Sequence, residues 1–283
     1  MEQTAAPMRE KVCLVTGSNS GIGKETALGL ARLGATVVMV CRDQSKGAAA
    51  QAEIKTQSGN PSVDLLIADL SSQQSIRQLA REITERYPQV HVLVNNAGVS
   101  PSQRALTSDG IEKTFAVNHL APFLLTNLLL ERLKASAPAR VVTVASSGQS
   151  AINFDDLQGE KHYSMLGAYG QSKLANILFT YELARRLEGT GVTANCLHPG
   201  VVSTNLAREF NPLFRAMARL FFISPAKGAQ TSIYLASSPE VEGVSGKYFT
   251  KKREIPSSKE SHDTASARRL WQISEQLTQL VPA

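Results

Sequence analysis

Short runs of consecutive apolar residues alternate along this chain with longer stretches whose apolar positions recur every three or four places. The runs are 12–16, 36–41, 63–68, 90–94, 140–144 and 192–197, with a weaker seventh at 247–249. They are rich in β-branched residues and apolar on both faces, as strands of a parallel sheet covered on each side must be. Helical periodicity predicts helices at about 22–33, 44–57, 72–87, 108–134, 164–188, 226–237 and 262–280. Strand and helix in such alternation define a doubly wound α/β domain of about seven strands. No repeat or low-complexity linker divides the chain, so the reading is one domain over 10–283, preceded by a flexible tail at 1–9. The stretch 203–225 breaks the rhythm: Phe210, Leu213, Phe214, Met217, Leu220 and Phe221 lie at helical spacing, the stripe of an amphipathic helix in an insertion.

Composition changes this picture little. With 283 residues, 42% hydrophobic and 19% charged, the chain is neither disordered nor collagen-like nor a disulfide scaffold. Its three cysteines (Cys13, Cys41 and Cys196) are scattered, each within an apolar strand, without metal-ligand spacing; no metal is expected, and the cysteines fit a reducing, cytoplasmic setting. The N-terminus has no apolar signal region, and no run reaches the roughly 18 residues of a spanning helix, so no transmembrane anchor is expected. The net charge of +6 leaves a polyanion open. However, the notable basic cluster (Lys247, Lys251, Lys252 and Arg253) has neither an aromatic platform nor a helix-turn-helix, so no nucleic-acid partner is expected.

Candidate chemistry begins where the first strand runs into Thr16-Gly17-Ser18-Asn19-Ser20-Gly21-Ile22-Gly23 and then a helix. Glycines let backbone approach a pyrophosphate, and a helix N-terminus supplies free N–H groups. Lys24 follows Gly23 as in a P-loop, but Ser18 stands where that motif needs glycine and Glu25 where it needs a magnesium-holding hydroxyl. The second strand ends in Cys41-Arg42-Asp43. An acidic residue near this place binds a ribose 2′-hydroxyl, whereas arginine receives a 2′-phosphate. Arg42, with Lys46 one turn on, favours NADP(H), with NAD(H) possible; Asp43 is read as the N-cap of the helix at 44–57.

Tyr169 and Lys173 stand four apart, and so share one face of the helix at 164–188. A cation about 4 Å from a phenol at an effective dielectric near 20 is worth roughly 4 kcal/mol, about three pKa units, enough to fit it for proton transfer. Tyr181 and Arg185 repeat the spacing, but they lie about 18 Å further along the axis and cannot serve the same site. Tyr163 has Gly167 four places on and is excluded as a base by the same logic.

Taken together, Thr16 to Gly23, Asn95-Asn96-Ala97-Gly98, Asn118, Ser146-Ser147, Tyr169 with Lys173, and His198-Pro199-Gly200 follow the order and spacing of the short-chain dehydrogenase/reductase family. The resemblance spans about 10–280. It is nearest the retinol-dehydrogenase-like branch, on Val40-Cys41-Arg42-Asp43, Val117-Asn118-His119-Leu120, Phe154-Asp155-Asp156-Leu157, Ser172-Lys173-Leu174-Ala175-Asn176, His198 to Val202 and Leu270-Trp271.

The resemblance implies a Rossmann-type fold, with Tyr169 as acid/base assisted by Lys173. Asn118 would bend its helix and hold a relay water, and Ser147 would bind the substrate oxygen, with Ser146 as its alternative. It further implies cofactor contacts at Gly17, Ser18, Asn19, Ser20, Gly21, Ile22, Gly23, Asp69, Leu70, Asn96, Ala97, Gly98, Pro199, Gly200, Val202 and Thr204. Asn95 is read as structural, as are His198 at a strand end and His119 in a helix. The insertion falls where this fold hangs a substrate lid, so Phe210, Phe214 and Met217 point to an apolar aldehyde, ketone or retinoid-like substrate. An NADP(H)-binding sensor without turnover is the competing reading. A homodimer or homotetramer, built on the helices at 108–134 and 164–188, is the family's expectation.

Overall fold

The computed structural model describes residues 6–200 and 223–280. Eight strands form one sheet: β1 Val12–Thr16, β2 Thr36–Cys41, β3 Val63–Ile67, β4 Val92–Asn95, β5 Ala139–Val144, β6 Val192–His198, β7 Tyr248–Thr250 and β8 Arg253–Glu254. Their order is β3-β2-β1-β4-β5-β6-β7-β8, parallel through β7 and antiparallel at β8. The eighth strand is the departure from the seven expected. At two exposed residues, it is too short to show a hydrophobic period.

Helices α1 (Gly21–Arg32), α2 (Gln44–Ser58), α3 (Gln73–Arg86), α4 (Lys113–Phe115), α5 (Ala121–Leu128), α6 (Leu130–Ala135), α7 (Met165–Arg186), α8 (Pro225–Ser237) and α9 (Thr264–Thr278) surround the sheet. Strand side chains alternate between two cores. Leu14, Val38, Val40 and Leu93 meet α3, α5 and α7 on one face, whereas Cys13, Val15, Val37 and Met39 meet α1, α2 and α8 on the other.

The helix expected at 108–134 is broken. Gly110 turns at φ 73°, so helix starts only at Lys113; a π turn occupies Ala116–Leu120 and a further break falls at Leu129. Within the stretch 1–9, Met8 is buried and its N–H donates to the Leu33 carbonyl at 3.0 Å, so the chain is anchored to the domain from that residue on.

Helix α9 lies over α7. Trp271 inserts between Phe123 and Phe179, with ring centroids 4.9 and 5.8 Å away, and Arg186 covers its outer face at 4.0 Å. Ser274 Oγ lies 2.9 Å from Nε2 of His119, whose burial drives its pKa from 6.5 down to about 3. His119 is therefore a neutral core residue. No helix among the described residues is long and apolar enough to cross a membrane.

Candidate active site

The site lies along the C-terminal edge of the parallel strands, where the order reverses between β1 and β4, the place where open α/β sheets bind ligands. Thr16 Oγ1 closes this edge. It donates to the Val94 carbonyl and accepts the N–H groups of Asn96 and Ala97 at 2.9 and 3.0 Å. The Asn96 amide donates to the Thr16 carbonyl at 2.8 Å, so its side chain ties β4 to the glycine turn and acts as structure. Asn95 is structural as well, its amide bonded to Thr126 Oγ1 in the core.

The turn itself is built for close approach. Gly17 sits at φ 66°, and a Cβ there would meet the Ala97 Cα at 2.9 Å; one on Gly23 would meet the Gly17 carbonyl at 2.3 Å. Helices α2, α3, α7, α8 and α9 each begin with a side-chain cap, whereas Ser20 gives α1 none. The first N–H groups of α1 thus remain available, and Ser18 Oγ is buried without a protein partner among the described residues. An uncapped N-terminus, an orphaned hydroxyl and a turn without Cβ atoms fit a dinucleotide pyrophosphate. Lys24 is not a P-loop lysine: its ammonium pairs with Glu53 at 2.8 Å.

At the end of β2, Asp43 caps α2 by accepting the Lys46 N–H at 2.9 Å, and its carboxylate pairs with the Lys46 ammonium at 3.1 Å. Asp43 is thereby engaged, and so in part is Lys46; exposed Arg42 has no such pairing among the described residues and its charge acts on Asp69. Burial works against ionisation of Asp69. The Ser71 N–H and hydroxyl, with the charges of Arg42 and Lys113, nevertheless hold its carboxyl below the ordinary value. Leu70 follows in the turn after β3.

Tyr169, Lys173 and Asn118 converge. Lys173 Nζ is buried and donates to the Val144 carbonyl at 3.0 Å, at the end of β5; burial pulls its pKa from 10.5 down to about 8. A Cβ on Gly98 would lie 3.4 Å from Asn118 Oδ1 and 3.8 Å from Lys173 Nζ, which places the three together. Asn118 occupies the π turn, a kind of bulge frequent at functional sites. Its amide is fully committed: Oδ1 accepts the Val99 N–H at 2.7 Å, while Nδ2 donates to the Val99 carbonyl at 2.9 Å and to Ser172 Oγ at 3.0 Å. Ser172 in turn donates to the Tyr169 carbonyl at 2.7 Å. The motif reading gave Ser172 no role, although its place between the tyrosine and the lysine was the available signal.

The phenol of Tyr169 is pushed up by burial, opposed by the Ser146 hydroxyl. Lys173 Nζ sits over the ring, 5.4 Å from its centroid, with one of its N–H groups directed at the Val144 carbonyl. The serine beside Tyr169 is Ser146. Ser147 is exposed and turned toward His198, its N–H donating to Nδ1 at 3.2 Å and its Oγ 3.3 Å from Nε2.

The competing pair does not act together, since Tyr181 bonds Ser257 at 2.7 Å and Arg185 pairs with Glu182. Tyr163 donates to the Pro101 carbonyl at 2.9 Å, and Arg104 Nε to the Gln158 carbonyl at 2.9 Å, latching together the loops after β4 and β5. Pro199 and Gly200 follow β6 directly. Val202, Thr204, Phe210, Phe214 and Met217 lie outside the described residues.

A parallel sheet in this order, a glycine turn opening α1, and an Asn–Ser–Tyr–Lys constellation define a nicotinamide-dependent oxidoreductase of alcohols and carbonyls. The chain belongs to the short-chain dehydrogenase family, whose model matches residues 11–213. It is 49% identical over 295 residues to human retinol dehydrogenase 14, covering 97% of this chain and 88% of that one. To mouse retinol dehydrogenase 12 it is 48% identical, covering 94% and 86%. Among solved structures, a Mycobacterium paratuberculosis protein is similar at a TM-score of 0.79 and 37% identity, covering 96% of this chain and 94% of that chain. Pseudomonas aeruginosa RhlG in an active-site complex with NADP is similar at a TM-score of 0.72 and 28% identity, covering 87% and 96%.

Proposed function

We propose that this enzyme is an NADP(H)-dependent oxidoreductase of apolar aldehydes, ketones or the matching alcohols, with retinoids among its substrates. The observation that carries the reading is the meeting of Tyr169 with Ser146 on one side and the Lys173–Asn118 pair on the other. Bound nicotinamide supplies or accepts the hydride. In the reducing direction Tyr169 gives its phenolic proton to the substrate oxygen, and Ser146 Oγ donates a hydrogen bond to the same oxygen as charge develops there. In oxidation the proton returns. Lys173 is held by the Val144 carbonyl, with Asn118 in the π turn close by.

The preference for NADP(H) rests on Arg42, with Asp43 committed to its cap and to Lys46. Relatives bound to NADP or NADPH support it, among them a 25% identical Escherichia coli dehydrogenase crystallised with NADPH. The apolar substrate class draws on the names of the retinol dehydrogenases it resembles. It also draws on two exposed apolar side chains, Leu106 in the loop after β4 and Leu166 in the first turn of α7, exposed by 52% and 65%. The compartment we propose is the cytoplasm, on the strength of three buried, unpaired thiols. Any homo-oligomer is proposed away from the outer face of α7, which α9 already covers.

The test follows NADPH and NADH oxidation by the purified chain with nonanal, retinal and a polar control aldehyde. Turnover faster with NADPH and with the two apolar aldehydes is the expected result. NADPH binding without turnover on any carbonyl would favour the sensor instead.

A further inference from the structure

Asn118 and His119 follow one another in the π turn Ala116–Leu120, and both side chains are buried, yet they meet different parts of the fold. Asn118 reaches Val99 and Ser172, on the side of the site. His119 reaches Ser274 of α9, 155 residues further on. Its Nε2 lies 2.9 Å from Ser274 Oγ, which is in turn 2.8 Å from the Leu270 carbonyl, so the hydroxyl stands between the ring and the backbone of α9. The far end of α9 is fixed as well. Gln73 Nε2 of α3 donates to the Leu277 carbonyl at 2.8 Å, and Arg77 donates to the Thr278 carbonyl.

The surroundings of the imidazole do not call for a polar side chain. The rings of Phe115, Phe123 and Phe179 lie 5.1, 6.3 and 6.2 Å away, and burial holds the imidazole neutral. An apolar side chain would fill this space with no buried nitrogen to satisfy. What apolar packing cannot do is fix the register of the turn. Ala116, Val117, Leu120 and Ala121 are all apolar and buried, so a slip by one residue exchanges one apolar contact for another. Each residue of slip turns a side chain by about 100° around the helix axis, which would carry Asn118 away from Val99 and Ser172. The π turn, where the regular hydrogen-bond ladder is broken, is the place for such a slip. A ring with its partner in a neighbouring helix opposes it, because the slipped turn would leave that nitrogen buried and unpaired.

We propose that His119 and Ser274 are positioning residues for Asn118. The bond between them ties the π turn to the C-terminal helix and holds it in the register that keeps Asn118 on Val99 and Ser172, beside Lys173. Neither residue touches a reacting atom; both act through the backbone of the turn. The inference rests on the reading of Asn118 as part of the site given above.

The test compares His119→Leu, Ser274→Ala and the two changes combined. Each single change leaves one polar group buried without its partner and should lower the midpoint of guanidinium unfolding. The combined variant removes both groups and should bring the midpoint back toward the parent. Activity should not follow stability. A misplacement of about 1 Å costs on the order of 100-fold, so all three variants should lose about 10- to 100-fold in kcat with NADPH and nonanal, the combined one no more than the singles, with the NADPH Kd within about 3-fold of the parent. A second readout needs no turnover. Both N–H groups of the Asn118 amide are hydrogen-bonded, and in protein labelled with 15N-asparagine their exchange with D2O should quicken by about 10-fold or more in all three variants. The signal is identified by its loss in Asn118→Ala. Parental kcat in the combined variant, losses that multiply on combination, or parental exchange would overturn the proposal and make the pair ordinary core packing. Failure of the underlying reading looks different: Asn118→Ala would keep the parental kcat, or the parent would not oxidise NADPH at all, whatever the exchange shows.

Discussion

Replacing Lys173 with methionine asks whether the lysine proposed to assist Tyr169 is held at a cost to the fold. The ammonium is 4% exposed, and burial pulls its pKa from 10.5 to about 8. That drop corresponds to about 3 kcal/mol. The folded value lies below the unfolded one, so between the two the unfolded chain binds more protons and stability rises with pH. The full penalty is present below about 8 and is gone above about 10.5. Methionine removes the penalty and keeps the length of the side chain, but leaves the Val144 carbonyl without its partner, a loss of about 1–3 kcal/mol. At pH 7 the two terms nearly cancel, and Lys173→Met should be as stable as the parent or up to about 2 kcal/mol more so. By pH 10 the parent should have gained about 2–3 kcal/mol on the variant. The Val144 term is common to every pH and drops out of that swing. Guanidinium unfolding of both proteins without cofactor, at pH 7, 8.5 and 10, measures it. A stability difference that does not change with pH would refute the reasoning, as would an active Lys173→Met enzyme.

Ser146→Ala should cost about 100-fold or more in kcat, the scale of an oxyanion-type donor, whereas Ser147→Ala should stay within a few fold; steady-state NADPH oxidation separates them. Arg42→Ala should cut the preference for NADPH over NADH by about 10- to 100-fold, since hydrogen bonds to charged groups are worth about 1.5–3 kcal/mol, while leaving kcat with NADH in place. Trp271→Ala should destabilise the chain by about 3–5 kcal/mol in guanidinium unfolding; a loss under about 1 kcal/mol would mean that α9 does not seal the core as described.

What the sequence discloses follows its periods. Strands buried on both faces and capped helices announce themselves, and β1 to β7, α1 to α3 and α7 to α9 stand within a few residues of where the pattern puts them. The Tyr169–Lys173 spacing survives because a helix fixes which residues share a face. The choice between Ser147 and Ser146 stays open in the sequence for the opposite reason. The strand ends at Val144, alternation lapses with it, and nothing local says which serine turns toward α7. For a related cause, a spacing of four brings Lys173 near Tyr169 but cannot disclose the Val144 carbonyl that takes one of its N–H groups. The break of the 108–134 segment into α4, a π turn, α5 and α6 hides in an apolar run that reads as helix throughout.

The docking of α9 on α7 also orders events in time. On the ribosome, α7 is made well before the segment that covers its back, so Phe123 and Phe179 face solvent until Trp271 arrives. Contacts so distant in sequence form late and leave an apolar surface bare in the interim. A nascent chain with α7 made and α9 not yet made lacks the ring that packs on Phe123 and Phe179, the kind of exposed apolar surface that chaperones bind. A break in translation before residue 264 would leave that surface waiting for a cover that never comes.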